Sequence, residues 1–298
     1  MSAPTLSELA QSWVRHLRAE NKSARTEEAY TAALRLFEQF LHQAGMPTEP
    51  AQVRREHVEA FIAAQLAAHS PATAAQRYRS LRTFWTWAQE EGETQRSPME
   101  RMKPPSVPEK AVPVISDDDL SALLKATEGT GFEERRDHAI LRVLLDTGMR
   151  RGELIGIRLT DVDFDQGVLF VVGKGARPRA CPFGSKTARA LDRYLRARKA
   201  HRDAPEGWLW LGLRGRMTDS GIHQMLERRC QQAGIERVHA HAFRHTASHR
   251  FLAAGGQESD LMRLHGWRSR QMVNRYGASA ADERAREAHR RMALGDKL

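Results

Sequence analysis

The chain has 298 residues, 47 of them Lys or Arg against 37 Asp or Glu, a formal net charge of +10, and two cysteines. That length allows two domains with separate cores, the charge favours a polyanionic partner such as nucleic acid over an acidic small molecule, and two distant cysteines, Cys181 and Cys230, speak against a disulfide framework or a cysteine zinc site. The first residues show no basic segment followed by an apolar run and no stretch reaches membrane-span length, so neither export nor membrane insertion is expected, and a reduced cytoplasm is the expected location.

In chain order, Thr5 followed by Glu8 has the form of a capping box, and Leu6, Leu9, Trp13, Val14 and Leu17 then recur at helical spacing. A second periodic run carries Tyr30, Leu34, Phe37, Phe40 and Leu41 and stops at Gly45 and Pro47. A third uses Val58, Phe61, Ile62 and Leu66, and a fourth starts at Ser70-Pro71 and carries Tyr78, Leu81, Phe84, Trp85 and Ala88 up to Gly92. Four such helices predict a small bundle, with Trp85 and Trp87 in its core rather than on the surface as stacking platforms. The fourth also bears Arg77, Arg79 and Arg82 beside Thr73 and Gln76, side chains that could meet phosphates or base edges or simply form a solvated face. Basic residues exceed acidic ones by one over residues 1–110 and by nine beyond, so the excess charge lies in the second part.

Four prolines among the eleven residues 103–113 disfavour helix and sheet pairing and predict an extended spacer. Beyond it, Ser116 and the acids Asp117, Asp118 and Asp119 open a helix with Leu120, Leu123 and Leu124. Three consecutive carboxylates point in different directions, which disfavours a metal site there. A buried helix over residues 136–145 runs into Thr147-Gly148-Met149-Arg150-Arg151-Gly152-Glu153-Leu154, where Gly148 permits a tight turn, Arg150 projects outward and Glu153 shares its face. Taken alone, that pair reads as a surface ion pair.

Residues 158–183 change period. Val162 and Phe164 alternate with acids, Gly167 turns, residues 168–172 are apolar and β-rich, and residues 177–183 return, predicting a small antiparallel sheet with Lys174 at a hairpin tip. Pro178 marks its strand as an edge, and Gly-Lys-Gly lacks the pattern of a nucleotide-binding loop. Helices are expected near residues 186–199 and 218–233, on either side of an apolar stretch at 208–211. Arg193, Arg196, Arg198, Lys199 and Arg202 would be phosphate contacts or a solvated face.

His241 and Arg244 share a helix face and can reach one phosphate; Trp267 offers an indole donor, and Tyr276, nine residues later, a phenol able to form an ester with phosphorus. His245 and His249 could line a zinc face with His241, but no Cys, Asp or Glu nearby joins them, and His245 reads better as a packed helix histidine. A charged helix with Ala285, Ala288, Met292 and Leu294 is expected over residues 280–298.

Arg150 in its Thr-Gly-x-Arg-x-Gly-Glu-Leu box, Lys174 on the hairpin, the His-x-x-Arg pair of His241 and Arg244, then Trp267 and Tyr276 together resemble the tyrosine site-specific recombinases, the phage integrase and Xer recombinase family. The usual Leu-Gly-His is Leu-His-Gly-Trp here, and the spacing to Tyr276 aligns Trp267, not His265, with the family's histidine or tryptophan. The resemblance implies a mostly α fold with a small antiparallel sheet: a four-helix, SAM-like core-binding domain that binds DNA (residues 1–103), a Pro-rich linker (104–113) and an α+β catalytic domain (114–298). It implies cleavage and rejoining of DNA through a 3′-phosphotyrosyl intermediate, as in integration, excision or dimer resolution, without ATP, metal or other cofactor.

In that chemistry Tyr276 is the nucleophile, Arg150 and Arg244 hold the non-bridging oxygens, and Trp267 adds a donor. Lys174 protonates the leaving 5′ oxygen, His241 takes the tyrosine proton or braces the phosphate, and Glu153 supports Arg150. Arg77, Arg79, Arg82, Lys174 and Arg193 are the expected DNA contacts. The implied partners are double-stranded DNA with a specific recombination site, a homo-tetramer with one dimer per site in which the tail docks on a neighbour, and a directionality factor. Action at the nucleoid on short sites is expected, since no arm-binding domain is expected before the first helix. Two rivals share features with this reading: a DNA-binding protein that does not cleave, against which the full residue set argues, and a type IB topoisomerase that relaxes DNA as a monomer.

Overall fold

Thr5 opens the first helix as the sequence suggests: its side chain accepts from the Glu8 N–H while Glu8 Oε2 accepts from the Thr5 N–H at 2.7 Å. The structure is a computed structural model and describes residues 4–108, 114–173, 177–273, 276, 285–286 and 289–292. The chain divides into two compact units, Met1–Lys110 and Ala111–Leu298.

The first unit holds four helices, α1 (Leu6–Ala19), α2 (Ala24–Gln43), α3 (Arg55–Ala68) and α4 (Pro71–Glu90). Ser23 and Ser70 cap α2 and α4, and Pro71 occupies the first turn of α4, where its missing N–H has no intrahelical acceptor to lose. The core centres on the fully buried Trp13, which stacks on Tyr30 at 5.6 Å and meets the edge of Phe84 at 5.2 Å. Burying an aromatic so completely stabilises by about 3–5 kcal/mol against truncation to alanine. Trp85 and Trp87 are buried beside it, while Leu66, expected on the apolar face of α3, is exposed. The core extends past α4: Met99 and Met102 are buried in it, and the Tyr78 hydroxyl donates to the Met102 carbonyl at 2.7 Å.

The second unit is built around α6 (Phe132–Thr147), whose Ile140, Leu141, Val143 and Leu144 are fully buried. Against it pack α8 (Ser185–Arg198) and α10 (Ala240–Ala253), with α5 (Asp117–Lys125), α7 (Arg151–Gly156), α9 (Asp219–Ala233) and α11 (Glu258–His265) completing the layer. Ser116 caps α5 through the Asp119 N–H, so the three acids sit at the helix's positive end. Strands β1 (Val162–Asp163), β2 (Val168–Gly173) and β3 (Arg177–Pro182) form an antiparallel sheet in sequence order, with Pro178 on the edge strand.

Arg198, expected among the phosphate contacts or on a solvated face, is buried instead. Its guanidinium donates to the carbonyls of Trp208, Leu209 and Ala204, stapling the 208–211 stretch to α8. A second buried charge group joins α6 to α9: the fully buried Asp137 accepts from Arg136 and Arg229, each at 2.8 Å, and from Arg228 at 3.2 Å. Among the described residues no helix is long and apolar enough to cross a membrane.

Candidate active site

α6 ends at Gly148, which takes a left-handed conformation (φ 54°) as its C-cap. A Cβ there would lie 2.8 Å from His265 Nε2 and 3.1 Å from the Ala247 Cβ, so both the turn and the closeness of α10 and α11 require glycine. Two residues later Arg150 precedes α7, its side chain about two-fifths exposed, and its own N–H donates to Glu153 Oε2 at 2.8 Å while its Nη1 donates to Glu153 Oε1 at 3.0 Å.

α10 brings His241 and Arg244 to the same place. Arg244 is almost wholly buried and spans two carbonyls, Nη1 donating to Gly148 and Nη2 to His265, both at 2.8 Å. Burial, and next the charge of Arg150, lower its pKa to about 10, so it stays protonated at neutral pH. The Tyr276 hydroxyl lies 2.8 Å from His241 Nε2, and its ring stacks on His245 at 4.0 Å and packs against Trp267 at 4.7 Å. The Arg244 guanidinium carbon stands 5.2 Å from the Trp267 ring centroid and 5.9 Å from that of Tyr276. The Trp267 Nε1 has no hydrogen-bond partner among the described residues. Other buried tryptophans share that condition, Trp13 and Trp210 among them; what sets Trp267 apart is its place between Arg244 and Tyr276.

Arg150, Glu153, His241, Arg244, Trp267 and Tyr276 are thus gathered into one cluster from two separate stretches of sequence, residues 150–153 and 241–276. Lys174 lies outside the described residues, as does most of the expected tail helix; its described parts, residues 285–286 and 289–292, are helical and exposed. Arg77, Arg79 and Arg82 are on α4 of the first unit, Arg77 half-buried and the others exposed. Arg193 lines a groove of about 450 Å³ between α6 and α8 with Arg135, Arg142, Lys186 and Arg189. Among the described residues no group of His, Cys, Asp or Glu is placed to hold a metal ion.

Three further side chains belong to the cluster, and of these the sequence reading missed Arg179. Arg179 forks onto both oxygens of Glu153, Nη1 to Oε1 at 2.8 Å and Nη2 to Oε2 at 2.7 Å. Its register was a usable signal: it pairs with buried Val171 on the face that also carries buried Cys181, so a strand alternation places it inward. Burial pushes the Glu153 carboxyl up, but the Arg179 hydrogen bonds and the Arg150 N–H outweigh it and hold the pKa at about 2. His245 is a packed helix histidine, as expected, and what it packs on is Tyr276. His265 lies buried behind the cluster, its Nδ1 3.3 Å from Ser248 Oγ.

Burial, then the charges of Arg244, Arg179 and Arg150, push the His265 pKa from 6.5 down to about 2. The unfolded chain therefore takes up a proton below pH 6.5 that the folded chain refuses until about pH 2, and stability falls as pH drops through that window. Glu153 adds to the loss only between pH 4.5 and about 2. Urea unfolding should accordingly show wild type losing roughly 2 kcal/mol more than His265→Asn between pH 7 and pH 5. Equal losses in the two proteins would mean that His265 is not held neutral.

The phage integrase family model matches residues 113–283, and that of the phage integrase N-terminal SAM-like domain matches residues 9–92. The chain is 32% identical over 209 residues to tyrosine recombinase XerC of Corynebacterium glutamicum, covering 70% of this chain and 68% of the relative. It is 29% identical over 287 residues to tyrosine recombinase XerC of Oceanobacillus iheyensis, covering 93% of each. Its fold is that of the Tn1549 transposon integrase solved with transposon right end DNA, at a TM-score of 0.76 and 21% identity over 97% of this chain and 100% of that one. A four-helix SAM-like unit, a helical second unit with a three-stranded sheet, and matches of this extent place the chain in the phage integrase family, the tyrosine recombinases, enzymes of site-specific recombination that cleave and rejoin DNA strands.

Proposed function

We propose that the cluster around Tyr276 is the strand-cleaving centre, and the observation that carries this is the Tyr276 hydroxyl 2.8 Å from His241 Nε2 beside the buried Arg244. The Tyr276 oxygen attacks the scissile phosphorus, the bond from phosphorus to the 5′ oxygen breaks, and a 3′-phosphotyrosine and a 5′-hydroxyl result. His241 takes the phenol proton and Lys174 supplies one to the leaving oxygen. Attack by a partner strand's 5′-hydroxyl reverses the step, so one phosphate ester replaces another and no external energy source is needed. Charge grows on the non-bridging oxygens during transfer. Arg150 and Arg244 meet it with forked donors, Trp267 Nε1 adds a third, and Glu153 orients Arg150.

The substrate is double-stranded DNA carrying a specific recombination site. Arg79 and Arg82, exposed on α4, with half-buried Arg77 and the groove of Arg193, meet its phosphates. The functional assembly is a homo-tetramer with a dimer on each site, working at the nucleoid with a directionality factor.

Nicked duplexes carrying the sequence that the protein protects near its own gene test the centre. The nick lets the short cleaved fragment leave, which strands the protein on DNA, and a covalent complex whose tyrosine is bound to the 3′ phosphate is expected. Absence of any covalent complex on protected DNA, or a link to the 5′ phosphate, refutes the assignment. Trp267→Phe keeps an aromatic ring beside Tyr276 but removes the N–H and shrinks the bicyclic indole to a phenyl ring, so trapping should slow about ten- to a hundred-fold with DNA affinity unchanged. An unchanged trapping rate would remove Trp267 from the centre.

A further inference from the structure

The Glu153 carboxylate accepts four N–H groups: Arg150 Nη1 at 3.0 Å and Arg179 Nη1 at 2.8 Å on Oε1, the Arg150 backbone N at 2.8 Å and Arg179 Nη2 at 2.7 Å on Oε2. Half of what fixes the carboxylate is therefore Arg179. Its side chain and that of Glu153 are 10% and 6% exposed, against 39% for Arg150, so the buried pair is the fixed part and Arg150 the arm that leans on it. A third contact locks the fork's plane, because Arg179 Nε donates to the Leu264 carbonyl at 3.0 Å in the last turn of α11. The side chain also runs beneath Gly266, where a Cβ would stand 3.6 Å from Arg179 Cδ.

An exposed Arg150 with a mobile partner would sample many rotamers, and each lost orientation costs rate at a centre that works by prepared donors. We propose that Arg179 is a positioning residue for strand cleavage, its fork fixing Glu153 and through it the Arg150 guanidinium that receives the scissile phosphate. This rests on the assignment of Arg150 to that phosphate. Arg179 itself is turned away from the substrate, since its Nη1, Nη2 and Nε all have acceptors within the fold. A lysine in its place keeps the charge beside Glu153 but has no planar fork, and so cannot grip both oxygens and the Leu264 carbonyl at once.

The test uses nicked duplexes that trap the wild type, with sulfur replacing one or the other non-bridging oxygen of the scissile phosphate. Arg150→Lys sets the reference: it changes the ratio of trapping rates between the two sulfur isomers, because one guanidinium favours one oxygen. Arg179→Lys is expected to slow trapping about ten- to a hundred-fold at unchanged DNA affinity and to shift the isomer ratio in the same direction as Arg150→Lys. A general loosening of the fold slows both isomers alike, so an unshifted ratio, a ratio shifted the other way, or a wild-type rate overturns the proposal. If Arg150→Lys leaves the ratio unmoved, the assignment of Arg150 fails instead.

Arg179→Gln combined with Glu153→Gln leaves no unpaired buried charge and guards against simple unfolding. The double variant should trap within about twofold of Glu153→Gln alone, since Arg179 acts only through that carboxylate. A further loss that multiplies the two single effects would equally overturn the proposal.

Discussion

Tyr276→Phe is expected to bind DNA as the wild type does and to form no covalent complex at all. The phenol oxygen is the only atom removed, and its one described hydrogen bond, to His241, is worth about 1 kcal/mol. The ring keeps its stacking on His245 and its contact with Trp267, so the melting temperature should move by only a few degrees. Loss of trapping without loss of fold or affinity isolates chemistry from binding. A gel of nicked DNA incubated with the variant reads this directly, beside a melt and a band-shift titration. Any protein–DNA adduct formed by Tyr276→Phe would assign the nucleophile to another residue.

Much of the architecture was legible because it obeys local rules. The capping box at Thr5, the serine starts at Ser70 and Ser116, and the glycine turn at Gly148 are short-range physics, and each is found where it is written. The hairpin followed from a change of period, and the gathering of Arg150, His241, Arg244, Trp267 and Tyr276 from spacing matched to a family. What stayed hidden depends on which way a long side chain turns once distant segments meet. Arg198 and Arg179 look like surface cations in sequence, yet both lie inside because backbone carbonyls or a carboxylate await them there. His265 attracts attention by its place in Leu-His-Gly-Trp, but what counts is its carbonyl, which holds Arg244.

Three arginines give the centre its electrostatic character. Among the described residues Arg150, Arg179 and Arg244 face a single carboxylate, Glu153, which Arg179 already neutralises, and the hydrogen bonds of Arg244 go to carbonyls. Three guanidiniums against one carboxylate leave the described cluster with an excess of positive charge that is set before substrate arrives. On the proposed assignment, a phosphodiester entering the cluster offsets that charge, and the added charge of the transition state gains more than the ground state does. Buried cations of this kind lower fold stability, a cost accepted at functional sites.

Arg244→Lys should therefore fail in a manner that depends on pH. Of the five guanidinium N–H groups two are spent on the Gly148 and His265 carbonyls, leaving three for the phosphate. An ammonium cannot bridge both carbonyls and still reach an oxygen, so one buried carbonyl loses its donor at about 1–3 kcal/mol and trapping should slow by about 10²–10³ at pH 7. The same burial that lowers the arginine's pKa to about 10 without discharging it acts on a lysine, whose ordinary value is lower. The lysine's folded pKa is driven down toward neutrality, so its charge, and with it cleavage, fades as pH rises from 6 to 9 while the guanidinium stays charged. The ratio of wild-type to variant trapping rates should widen steadily across that range, a trend that titrations common to both proteins do not produce. A variant within about threefold of wild type at every pH would mean that Arg244 holds the turn and the end of α11 together without touching the phosphate.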